Sequence, residues 1–124
     1  MAVRAIRGAT RVDEDTREQI ITRTAELVQV VLRRNGLTSD EVISILLSAT
    51  PDLTSAFPAA AVRAAGITDV PLMCARELDI TGAMPQVVRL MAHVETESPR
   101  SGIRHVYLHG TESLRDDLDH EDGR

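Results

Sequence analysis

The chain has 124 residues, 43% of them hydrophobic and 27% charged, with a net charge of −5; this describes one ordinary domain with a modest core. The negative balance opposes a phosphate-backbone partner, and with only Phe57 and Tyr107 as aromatics there is no stacking platform for single-stranded nucleic acid. No apolar run reaches the ~18 residues of a membrane span and no secretory core follows Met1, so no membrane partner and a cytoplasmic location are expected. The one cysteine, Cys74, cannot form an internal disulfide or a thiolate zinc site. All fourteen basic residues are arginine. Without lysine, Schiff-base catalysis, pyridoxal phosphate anchoring and Walker A phosphate binding are excluded.

In chain order, residues 3–7 read as a short strand leading into Gly8. Asp15, with Glu18 three positions later, reads as a capping box. It opens a helix whose apolar stripe is Ile20, Ile21, Thr24, Leu27, Val28, Val31 and Leu32. Asn35-Gly36 supplies a left-handed stop. Residues 41–50 are almost continuously apolar and predict a strand buried on both faces, broken by Pro51-Asp52. Phe57-Pro58 starts a short helix with proline at its first position, and Gly66 ends it. Residues 70–74 form another short apolar strand, followed by the turn signal Thr81-Gly82. Residues 85–94 and 103–108 give two more strands, with a loop over 99–102. The acidic tail, whose end is residues 119–124, is expected to be mobile.

No internal repeat or linker interrupts this pattern. One long helix and about five strands make a single α+β domain over residues 1–118. One helix layer covers one sheet face. Strands this apolar on both faces predict that other subunits cover the second.

The strand at 85–94 carries the most informative residue. Alternation places Val88, Leu90, Ala92 and Val94 on one face, with Val87, Arg89, Met91 and His93 on the other. A guanidinium on a largely buried strand costs roughly several kcal/mol unless an anion meets it. That anion is either a carboxylate of the chain, making a structural ion pair, or a carboxylated ligand. Arg7 at a strand end, Arg63 in the short helix and Arg115 also leave ordinary solvated faces, although each alone is compatible with a surface salt bridge. Together with Arg89 they suggest a cationic pocket for a small dianion. Glu77, beside Leu78 and Ile80, is the internal acid best placed to balance them.

Other chemistries find less support. His105 and His109 would share a strand face as half a metal site, but carboxylates at a fitting spacing are missing, so no metal is expected. Cys74 has no histidine base at a matching spacing and reads as a buried thiol, a small hydrophobe or weak donor. Gly-x-Ser-x-Gly, Gly-x-Gly-x-x-Gly and Cys-x-x-Cys are absent from the sequence.

Several stretches, read together, carry a family resemblance. They are Ile6-Arg-Gly-Ala-Thr10, Leu46-Leu-Ser-Ala-Thr-Pro-Asp-Leu53, Phe57-Pro-Ala59, Ala61-Val-Arg63, Cys74, Glu77, Asp79-Ile-Thr-Gly82, Arg89 and Ile103-Arg-His-Val-Tyr-Leu108. In one register from about residue 2 to residue 118, the chain resembles the monofunctional chorismate mutases of the trimeric AroH class. The resemblance implies a mixed five-stranded sheet with one long helix, assembled as a homotrimeric pseudo-barrel with active sites between subunits. It implies the Claisen rearrangement of chorismate to prephenate, in phenylalanine and tyrosine biosynthesis, with no cofactor. It assigns Arg89 to the ether oxygen and a carboxylate, and Arg7 and Tyr107 to the side-chain carboxylate. Glu77, helped by Cys74, takes the ring hydroxyl. Phe57, Ala59, Met73 and Leu114 become pocket walls, and Arg63 and Arg115 guide the ring carboxylate at the rim. Arg115 and the tail are expected to order on ligand binding. One departure is Ala60, where the family commonly has a lysine. A YjgF-type imine/enamine deaminase and a non-enzymatic metabolite-binding trimer are the rival readings.

Overall fold

Five strands and two helices form within residues 1–115, the part of the chain described by this computed structural model. The strands are β1 (Ala2–Arg11), β2 (Val42–Ala49), β3 (Leu72–Arg76), β4 (Val87–Thr96) and β5 (Val106–Tyr107); the helices are α1 (Arg17–Arg34) and α2 (Ala59–Ala64). They build one mixed sheet in the order β3-β2-β4-β1-β5. β4 runs antiparallel to both β1 and β2, while β2/β3 and β1/β5 are parallel. This is the α+β fold with one long helix that the sequence predicts. The expectation for residues 119–124, and with it the tail's mobility, lies outside the described residues.

The helix starts one residue later than expected. Thr16, extended at φ −129°, is the cap, and its hydroxyl accepts from the Gln19 N–H at 3.2 Å. Gln19 answers by accepting from the Asp13 and Glu14 N–H groups at 2.7 and 3.2 Å. Asp15, the expected cap, is engaged elsewhere. Its carboxylate accepts from the Thr54 N–H and Oγ1 and the Ser55 N–H, all at 3.1 Å. Burial pushes that carboxyl up, but the hydrogen bonds from Ser55 and Thr54 together outweigh it and hold the group below its ordinary value. The stop is as read: Asn35 caps the helix and Gly36 follows at φ 64°.

One helix face is buried against one sheet face. Leu27, Val28 and Val31 meet Ile6, Ile45, Leu47, Leu90, Ala92, Val94 and Val106 in a single core. The helix can approach because Gly8 has no side chain; a Cβ there would stand 3.1 Å from Leu27 Cδ1. The alternation in β4 holds from Val88 onward: Val88, Leu90, Ala92 and Val94 are buried, and Arg89, Met91 and His93 are half-buried on the opposite face, while Val87 at the strand start is fully buried as well. The expectation that β2 is buried on both faces does not hold within one chain. Ile43 and Leu46 are 40% and 44% exposed, because the helix layer covers only the other side.

The last strand is also shorter than expected. Asn35 brackets Arg104, donating from Nδ2 to its carbonyl at 3.0 Å and accepting its N–H at 2.9 Å. A side chain thereby takes the groups that a longer ladder would use. The pairing of β5 with β1 is confined to Gly8–Val106 and Ala9–Tyr107.

Candidate active site

Cross-strand register on the open sheet face assembles the site. In antiparallel pairs, directly opposed residues share a face, so Arg89 has Ser48 on one side and Ala9 on the other. Ala9 is in turn beside Tyr107, and Arg7 lies opposite Met91. A cavity of about 320 Å³ opens over this patch, with Arg7, Arg89 and Tyr107 among apolar walls that include Leu46, Met73 and Met91. Few polar groups on an apolar lining is the usual make-up of a small-molecule site.

The anion demanded by Arg89 is Glu77. Arg89 Nε lies 3.1 Å from Glu77 Oε2, with the two side chains 36% and 16% exposed. The N–H is too poorly aligned to count as a hydrogen bond, so charge rather than a linear bond makes this contact. Ser48 supplies the linear one, donating from Oγ to the same Oε2 at 2.7 Å. Glu77 is anchored from behind, because its N–H donates to the Ala49 carbonyl at 3.0 Å and extends the β2/β3 ladder by a residue. Sequence reasoning missed Ser48. Its signals were its place in the Leu46–Leu53 stretch and its position two residues after Leu46 on the same strand face, while the residues it meets are 29 and 41 positions away.

The other expected residues divide between this cavity and its surroundings. Arg115 lies with its guanidinium 5.9 Å from the centre of the Tyr107 ring, a cation–π distance. Leu114 is half-buried in the same short turn, Glu112–Arg115. Phe57 and Cys74 line a second groove of about 700 Å³, which shares only Ala75 with the first. Cys74 pairs with Leu47 and packs against the core, so within one chain it lies on the face opposite Arg89. Ala59 is buried in that core and Arg63 is exposed on α2.

The histidines take structural positions. His105 Nδ1 accepts from the Arg7 N–H at 3.0 Å, which ties the residue before Gly8 to the approach of β5. His109, at φ 54°, meets Glu26 of α1 at 2.8 Å. Among the described residues no three His, Cys, Asp or Glu side chains are grouped to hold a metal, and no helix is long and apolar enough to cross a membrane.

Residues 3–118 match the family Chorismate mutase type I. The chain belongs to that family. It is 44% identical over 119 residues to the chorismate mutase AroH of Bacillus subtilis (strain 168), covering 95% of this chain and 94% of the relative. It is 46% identical over 118 residues to that of Thermus thermophilus, covering 94% and 97%. A solved chorismate mutase from Clostridium thermocellum superposes with a TM-score of 0.87 at 43% identity, covering 89% of this chain and 98% of that one. The type I chorismate mutase fold is therefore the mixed five-stranded sheet described above, and the Arg89 cavity lies on its open face.

Proposed function

We propose that this chain is an isomerase that converts chorismate to prephenate by a [3,3]-sigmatropic rearrangement, in the cytoplasmic synthesis of phenylalanine and tyrosine. The observation that carries the reading is the Arg89–Glu77 pair at 3.1 Å beside an apolar-walled cavity that also holds Arg7 and Tyr107. The substrate is a dianion with a ring hydroxyl, and its ether oxygen gains negative charge as the C–O bond breaks. With Nε facing Glu77 at 3.1 Å, the terminal nitrogens of Arg89 are the donors for that oxygen and for a carboxylate. Arg7 and Tyr107 hold the side-chain carboxylate. Glu77, with help from Cys74, accepts from the ring hydroxyl. Phe57, Ala59, Met73 and Leu114 wall the compact diaxial conformer, while Arg63 and Arg115 serve the ring carboxylate at the rim.

Energetics favour this division of labour. Even modest enzymatic acceleration requires about 8 kcal/mol off the barrier. One preorganised donor aimed at a developing oxyanion supplies roughly 3–4 kcal/mol. Conformer restriction in a fitted cleft supplies much of the rest. No proton transfer or covalent bond to the enzyme is required.

The working form in this reading is a homotrimer. Leu46 and Met73 are 44% and 65% exposed on the open face, and the groove bearing Phe57 is separate from the Arg89 cavity within one chain. Neighbouring subunits would cover the apolar face and bring one chain's groove to the next chain's cavity. The test is incubation of purified protein with chorismate while its ultraviolet absorbance is followed. First-order loss dependent on enzyme supports the reading; binding without loss favours a metabolite-binding trimer.

A further inference from the structure

We propose that Ser48 is a positioning residue of the site, which fixes the Glu77 carboxylate so that one oxygen is fully engaged and the other is presented to the ligand. This rests on the assignment of Glu77 to the ring hydroxyl. Both contacts converge on one atom: Glu77 Oε2 receives the Ser48 hydroxyl at 2.7 Å and lies 3.1 Å from Arg89 Nε. Ser48 makes the hydrogen bond to Oε2 and the Arg89 charge stands on that same atom, which leaves Oε1 as the oxygen presented as an acceptor.

Strand register sets up this arrangement. Ser48 is directly opposite Arg89 in the β2/β4 ladder and opposite Ala75 in the β2/β3 ladder. It therefore sits between the strand that carries the cation and the strand that leads into the acid. The Glu77 N–H is fixed on Ala49, the residue after Ser48. Only the side-chain torsions of Glu77 remain to be set, and those are what the Ser48 bond determines.

The Arg89 contact alone does not set them. Its N–H is poorly aligned, and Coulomb attraction depends on distance more than on direction. A short hydrogen bond to a charged acceptor is directional and is among the stronger kinds. Without it the carboxylate is free to turn both oxygens toward the guanidinium. That motion would take Oε1 from the ligand and Arg89 donors from the breaking bond together.

The experiment compares chorismate turnover by wild type, S48A, S48T, Glu77→Ala and the S48A/Glu77→Ala double variant, each checked for folding by circular dichroism. S48A is expected to lower kcat about tenfold, the scale of one charged hydrogen bond, with a smaller change in KM. S48T retains the hydroxyl and is expected to recover most of the loss. In the Glu77→Ala background S48A is expected to add nothing, because its effect passes through that carboxylate. No loss in S48A, or an equal loss in both backgrounds, overturns the role and leaves the mutase reading standing. Should S48A not fold, Ser48→Cys, a weak donor, takes its place in the same comparison. Absence of wild-type turnover sinks the functional reading instead, and a crystal structure of S48A then decides the inference alone. A Glu77 carboxylate turned toward Arg89 supports it, and an unmoved one overturns it.

Discussion

Replacing Arg89 by alanine separates a catalytic charge from a structural one. The stability cost follows from partial exposure: the pair is 36% and 16% exposed, between a surface ion pair worth about 0–1 kcal/mol and a broken buried one at about 3–5. A loss of about 1–2 kcal/mol is expected, well inside the roughly 5–15 kcal/mol that holds a domain together. The strand itself is secured by backbone ladders to β1 over ten residue pairs and to β2. The variant should therefore fold. Its chemistry should not survive as well: losing roughly 3–4 kcal/mol of transition-state stabilisation, at 1.36 kcal/mol per decade, lowers kcat by about 10²–10³-fold. Steady-state kinetics and a thermal melt read the two effects separately. Arg89→Lys keeps the charge but lacks the planar fork, and should recover only part of the rate. A variant that melts near the wild-type temperature with kcat intact and only KM raised would make Arg89 a ground-state binder and overturn its role at the breaking bond.

Three further expectations concern the scaffold. Leu46→Asp places a charge on the exposed apolar face and should shift the assembly toward monomer in sedimentation velocity; a wild type that is itself monomeric would contradict the trimer. Gly8→Ala sets a Cβ 3.1 Å from Leu27 Cδ1 and 3.4 Å from the Val106 carbonyl, so overpacking of about 1–3 kcal/mol should lower Tm by several degrees; an unchanged melt would show that α1 moves aside freely. Asp15 has a depressed carboxyl, so its contribution is present above the ordinary value of 3.8 and fades as pH falls through the lower folded value. The Tm gap between wild type and Asp15→Ala should be steady near neutrality and narrow below 3.8, and a gap that widens in acid would reverse the sign of that contribution.

What the sequence disclosed depended on how local the cause was. The α1 stripe and its Asn35-Gly36 stop are local; the stop stands, and the stripe stands at Ile20, Thr24, Leu27, Val28 and Val31, with Val30 buried in addition and Ile21 and Leu32 half-buried. β4 was legible because alternation is carried within the strand itself, and the cost of burying Arg89 pointed to an anion, of the chain or of a ligand, before any pairing was known. Glu77 was identifiable because it lies among apolar neighbours. Three features were set by distant partners. Asp15 left the cap to Thr16 because Thr54 and Ser55 claim its carboxylate. The final strand shortened because Asn35 claims Arg104. Ser48 was invisible because its importance lies in the register of β2 against β4. The open face bearing Ile43 and Leu46 was legible from the count of helices, since one helix layer covers one side of a sheet that is apolar on both. The identity of the substrate, in contrast, came from the family resemblance; the cavity's charges alone specify only a small anion.

Proton NMR of purified wild-type protein with chorismate tests the proposed activity at its root. Chorismate signals should decline as prephenate signals rise in equal amount, at a rate proportional to enzyme and with no other product. Chorismate that persists unchanged, or that yields a product other than prephenate, would contradict the assignment of this chain as a working mutase.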